Sequence, residues 1–116
     1  MINRGAIILR YKEPAVRWIN QTDPYRGHQN ITLEEANNDS TVYLISNRDA
    51  EDDHAVSQWV KKNFKVLFEA ELEDWYNEPA LWPKKLTYKL FQEWFDVESH
   101  SVLIDTVGGE IYDDGI

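Results

Sequence analysis

Apolar positions recur along this chain in two rhythms, and the switches between them predict the order of elements. Residues 6–11 (Ala6-Ile7-Ile8-Leu9-Arg10-Tyr11) form a short β-branched run suited to a buried strand near the middle of a sheet. Glu13-Pro14 opens a short helix, because proline is tolerated in the first turn, and Ala15, Trp18 and Ile19 give that helix one apolar face. It stops near Thr22-Asp23-Pro24. Residues 23–40 then read as a polar flexible loop, with turn signals at Asp23-Pro24, Gly27 and Asn37-Asn38-Asp39-Ser40. Within it Thr32, Leu33, Glu34 and Glu35 match a capping box and predict a single helical turn.

A second strand is expected over 41–46, closed by the turn-forming Asn47-Arg48-Asp49. The helical rhythm returns next and holds for about five turns: Val56, Trp59, Val60, Phe64, Leu67, Phe68 and Leu72 form one continuous stripe. Asp49, Glu51, Asp52 and Asp53 mark its start, where carboxylates suit the positive end of the helix dipole. Glu78-Pro79 and Trp82-Pro83 bracket a break, since a residue preceding proline is pushed out of the α region. Thr87 caps another helix with Leu90, Phe91, Trp94 and Phe95 on its apolar face. Residues 97–107 read as a third strand ended by Gly108-Gly109, and 108–116 as a C-terminal tail. The predicted fold is therefore a single two-layer α+β domain over 1–116, with about three strands packed by a long amphipathic helix and two shorter ones. A sheet that thin leaves a second face and its edges uncovered unless the tail, the 23–40 loop or a second copy lies over them, so a homodimer is one expectation.

Composition supports a folded chain: 42% of its 116 residues are hydrophobic and 13% aromatic, with five tryptophans. No cysteine is present, which removes disulfides, thiolate metal sites and a cysteine nucleophile. The first apolar run is too short for a signal peptide, and no stretch approaches the ~20 apolar residues needed to cross a bilayer, so a cytoplasmic protein without a membrane partner is expected. A formal net charge of -9 argues against nucleic acid and suggests an acidic face for a basic protein partner. Lys84-Lys85 beside Trp82 is too small a basic footprint to reverse this.

Candidate chemistry lies in three places. Asp96, Glu98 and His100 alternate so that an extended chain puts all three on one face, a set able to hold a divalent ion for metal-assisted hydrolysis. Its alternative is a satisfied polar pair at the rim of the core. Glu69 and Glu73 lie one turn apart near the end of the long helix, with Glu71 and Asp74 as neighbours, and read as a solvated helix face. His28 with Tyr25 and Arg26, and the isolated His54, read as solvated histidines. The third is an aromatic patch of Trp75, Tyr76 and Trp82 rimmed by Glu73 and Asp74, suited to a protein interface, or else to filling a small core. Neither a phosphate loop nor a nucleophile elbow nor a dinucleotide fingerprint occurs, and no cofactor is expected.

Glu73-Asp74-Trp75-Tyr76, Leu81-Trp82-Pro83 and Phe91-x-x-Trp94-Phe95-Asp96-Val97-Glu98-x-His100-Ser101 resemble the C-terminal pattern of a group of small, acidic, uncharacterised bacterial proteins. The resemblance covers about half the chain. It implies a bacterial, cytoplasmic origin and no particular reaction. The function expected from the residues is a noncatalytic interaction or regulatory module, with a metal-dependent hydrolase built on Asp96, Glu98 and His100 as the alternative.

Overall fold

The computed structural model describes residues 1–23 and 30–115. Tyr25, Arg26, Gly27 and His28 lie outside the described residues. The fold is α+β, with helices over one face of a three-stranded antiparallel sheet. The elements in chain order are β1 (Arg4–Tyr11), α1 (Glu13–Thr22), α2 (Leu33–Ala36), β2 (Val42–Ser46), α3 (Asp53–Trp75), α4 (Tyr88–Trp94) and β3 (Phe95–His100), with a 3-10 turn at Pro79–Leu81 before α4.

β1 occupies the middle of the order β2-β1-β3, as its unbroken apolar run predicts. Its register pairs Ala6 with Leu44 and Ile8 with Val42 on one side, and Ala6 with His100 and Tyr11 with Phe95 on the other. Ile7, Leu9 and Tyr11 therefore point to the same face as Tyr43, Ile45 and Phe95, and it is this face that the helices cover. Phe68 of α3 sits at the centre of the resulting core, fully buried, with its ring edge-on to Phe91, Trp94 and Phe95 at centroid distances of 5.8, 5.3 and 5.5 Å.

Local signals account for the helix ends. Asp52 accepts from the Ala55 N–H at 2.8 Å to start α3, and Thr87 Oγ1 accepts from the Leu90 N–H at 3.1 Å to start α4. Thr32 and Glu35 close the anticipated capping box on α2. The described part of the 23–40 segment is tied down by side-chain hydrogen bonds along its length. Asn20 holds Ile31 through both its backbone groups at 3.0 Å. Asn37 accepts from the Tyr11 N–H at 2.7 Å and donates to the Tyr11 carbonyl at 3.1 Å, so its amide substitutes for a strand residue where β2 no longer reaches β1.

Two boundaries differ from the pattern-based expectation. Phe95 begins β3 instead of continuing the preceding helix, because its pairing with Tyr11 turns its ring into the core. At the other end β3 stops at His100, opposite Ala6, rather than running to 107. Beyond it only the Ile2 N–H to Leu103 carbonyl bond, 2.8 Å, continues the pairing, and residues 101–115 take no regular structure. β-branched residues favour a strand only when a pleated, half-buried neighbour is there to pack against, and past His100 none is.

Gly5 makes the β2–α3 turn possible. A Cβ there would stand 2.2 Å from the Ala50 Cβ and 3.1 Å from the His100 carbonyl oxygen, so only glycine lets Ala50 close onto the sheet.

Candidate functional site

The face of the sheet turned away from the helices carries the most unusual surface of the described chain. By strand parity it presents Arg4, Ala6, Ile8 and Arg10 from β1, Val42 and Leu44 from β2, and Asp96, Glu98 and His100 from β3. Ala6 is buried on this face and Ile8 partly so, and neither they nor Val42 and Leu44 join the cluster beneath the helices. Val42 and Leu44 are 53% and 52% exposed, although both stand in register with the central strand. An apolar strip thus runs from the partly buried Ile8 to Val42 and Leu44, which stand half open to water on β2, rimmed by charge.

The rim is organised. Arg10 Nε donates to Glu98 Oε1 at 3.3 Å, and its Nη1 reaches Ser40 Oγ at 3.4 Å, tying the sheet face to the segment after α2. His100 Nε2 lies 2.8 Å from Glu98 Oε2, and Lys12 Nζ lies 3.4 Å from Asp96 Oδ1. The His100 ring, and then the Arg10 guanidinium, hold the Glu98 carboxyl below the usual carboxylate range. Arg4 instead donates to the Asn3 carbonyl at 2.8 Å and makes no ion pair among the described residues.

Strand alternation therefore brings Asp96, Glu98 and His100 to one face, as their spacing predicts. Each carboxylate is engaged by a cation, Lys12 or Arg10, and no group of three or more His, Asp or Glu side chains among the described residues gathers into a metal-holding cluster. Glu69 and Glu73 are both exposed on α3, and so is His54 in its first turn.

The aromatic set of Trp75, Tyr76 and Trp82 is half-buried, and its polar atoms turn inward. Trp82 Nε1 donates to the Tyr76 carbonyl at 2.7 Å, and the Tyr76 hydroxyl donates to the Ile19 carbonyl at 2.6 Å. Trp75 Nε1 donates to the Tyr11 hydroxyl at 2.9 Å. Glu73 and Asp74 stand exposed beside them.

Glu71, read from the sequence with its acidic neighbours as part of a solvated helix face, is instead buried. It is only 6% exposed, and its two carboxylate oxygens accept from the Tyr11 hydroxyl at 2.8 Å and the Tyr43 hydroxyl at 2.5 Å. Burial pushes its carboxyl up, against the two phenol hydrogen bonds that pull it down, and the nearby Asp74 charge adds to the rise. Burial and the Glu71 carboxylate likewise raise both phenols. The network borders a cleft of about 150 Å³ lined by Tyr11, Ser40, Glu71, Asp74 and Trp75 among others. One signal was available: Glu71 falls four residues after Leu67 and three after Phe68, on the buried stripe, so its carboxyl had to find donors inside the fold.

Arg10, Tyr11 and Tyr43 were likewise read only as strand residues. Their partners lie 88, 60 and 28 residues away in sequence, a separation no local pattern reports. No helix among the described residues is long and apolar enough to cross a membrane. Comparison with protein-family models, with curated proteins and with solved structures returns no match to this chain.

Proposed function

We propose that this chain is a noncatalytic protein-interaction module whose docking surface is the helix-free face of the sheet. The observation that carries the reading is the half-exposure of Val42 and Leu44 on β2, each in register with a residue of the central strand. An antiparallel sheet open on one side ordinarily turns polar residues to water there, and an apolar strip with a charged rim is the composition of a contact surface.

The chemistry of the face selects the kind of partner. Arg4, Arg10 and Lys12 outnumber Asp96 and Glu98 at its rim, a local cationic surplus on a chain whose net charge is -9. A segment bearing apolar side chains interleaved with carboxylates fits such a face. The hydrogen bonds of Trp75, Tyr76 and Trp82 into the fold favour the sheet face over the aromatic set as the docking surface.

Photo-crosslinking tests this. With p-benzoylphenylalanine in place of Leu44, discrete higher-mass adducts are expected; in place of Val66, a more exposed position on the opposite layer, none are expected. Equal yields from both positions, or adducts from neither, would overturn the reading.

A further inference from the structure

Resting on that reading, we infer that the occupant of the sheet face is the 101–115 arm of a second copy of this chain, exchanged reciprocally about a twofold axis. The arm carries most of the chain's other exposed apolar side chains. Val102, Ile104, Val107, Ile111 and Tyr112 are 58, 71, 74, 68 and 80% exposed. Five such residues within eleven positions concentrate exposed apolar side chains where scattered single ones are the norm for a monomer's surface.

Shape agrees. The radius of gyration is 15.8 Å and the longest dimension 45 Å, where a compact domain of this length has a radius near ~13 Å. The single bond from the Ile2 N–H to the Leu103 carbonyl directs the arm beside the start of β1 and off the end of the sheet. Gly109, with φ of 100°, then bends it between its two apolar groups in a left-handed conformation that other residues resist. Within one copy the arm and the face are therefore both left exposed.

Charge selects between occupants. The arm holds Asp105, Glu110, Asp113 and Asp114 and no basic residue. On an acidic protein most surfaces repel it, whereas the rim of the sheet face has the cationic surplus, including Arg4, which lacks a carboxylate partner among the described residues. The arm brings its apolar side chains onto Ile8, Val42 and Leu44 and its carboxylates towards Arg4 and Arg10. A twofold axis makes every such contact twice, so each copy covers its own face with the partner's arm and gives its own arm to the partner's face.

The test combines sedimentation equilibrium with crosslinking on the full chain. The unsubstituted chain is expected to be a dimer, and Leu44→Glu on the face or Ile104→Glu on the arm each to raise its dissociation constant about tenfold or more. Both positions are solvent-exposed, so far-ultraviolet circular dichroism is expected to stay unchanged and a loss of dimer is not a loss of fold. In a mixture of ¹⁴N and ¹⁵N copies carrying the photo-crosslinker at position 44, the adduct is expected to join one isotope's face peptide to the other isotope's 101–115 peptide. A dimer indifferent to Ile104→Glu, or adducts confined to one isotope, would overturn the arm exchange. A monomeric chain whose position 44 captures a different protein would overturn it too while leaving the docking face standing; a monomer with no adduct removes both.

Discussion

Glu71 is held by two phenols, so removing either leaves a buried carboxylate with one donor fewer. Tyr43→Phe and Tyr11→Phe are each expected to lower unfolding stability by about 1–3 kcal/mol, measured by urea titration. The Tyr11 change also strands the Trp75 indole N–H, so it is expected to be the larger of the two. The same carboxyl makes stability depend on pH in a particular direction. Its folded pKa lies above its unfolded value, so the folded state binds the extra proton. The penalty is absent well below the unfolded value near pH 4.5 and grows as pH rises from there through the folded value. Glu71→Gln is therefore expected to gain stability relative to the unsubstituted protein between pH 4 and pH 7. A constant difference across that range would show that the carboxyl is not strained by burial. Glu98 behaves oppositely, its lowered pKa lending stability above the ordinary carboxylate value that is lost as pH falls. Gly5 gives the sharpest steric prediction: Gly5→Ala puts a methyl against the rigid Ala50 Cβ and is expected to cost about 1–3 kcal/mol in thermal or chemical unfolding.

Among the elements, those fixed by short-range signals were legible before any coordinates. The α3 stripe, the Thr87 cap, the capping box of α2 and the central position of β1 all follow from residues within a few positions of one another. Elements whose limits depend on a distant partner were not. Residues 101–107 have the composition of a strand, yet a strand also needs a neighbour, and nothing in Val102 or Ile104 reports that the ladder between β1 and β3 ends at Ala6. Glu71 was hidden for a related reason. It stands in a run of acidic residues that reads as a wet helix face, and only the helical phase set by Leu67 and Phe68 separates it from Glu69 and Glu73. The alternation of Asp96, Glu98 and His100 was readable; that Arg10 and Lys12 would engage their carboxylates was not, because those cations come from the other end of the chain. Asn37 offers a test at this scale. Asn37→Ala removes both hydrogen bonds to the Tyr11 backbone, and is expected to destabilise by about 1–3 kcal/mol and to speed proteolysis within 30–40, read by timed digestion and mass spectrometry.

For the molecule as a whole, global and local charge point to different partners. A net charge of -9 suggests a basic protein, while the apolar strip at Val42 and Leu44 lies where cations are in surplus and therefore suits an acidic segment. Salt separates these contributions, since self-repulsion between exposed carboxylates fades once the screening length falls to about 10 Å near 0.1 M. Raising ionic strength from low to physiological values is expected to raise the melting temperature, and an unchanged or lower value would count against self-repulsion as a cost to this fold. The register of the sheet has a further consequence, in time rather than in space. β1 is made first, yet its pairing from Ala6–His100 to Tyr11–Phe95 joins positions about 90 residues apart. The three-stranded sheet around Ile7 and Leu9 is therefore completed only once β3 has followed. Long-range pairing of this kind is slower than the closing of local helices, because the entropy of the long loop is lost before the contacts form. Throughout that interval one edge of the central strand has no strand partner, although the same strand lies at the middle of the finished sheet.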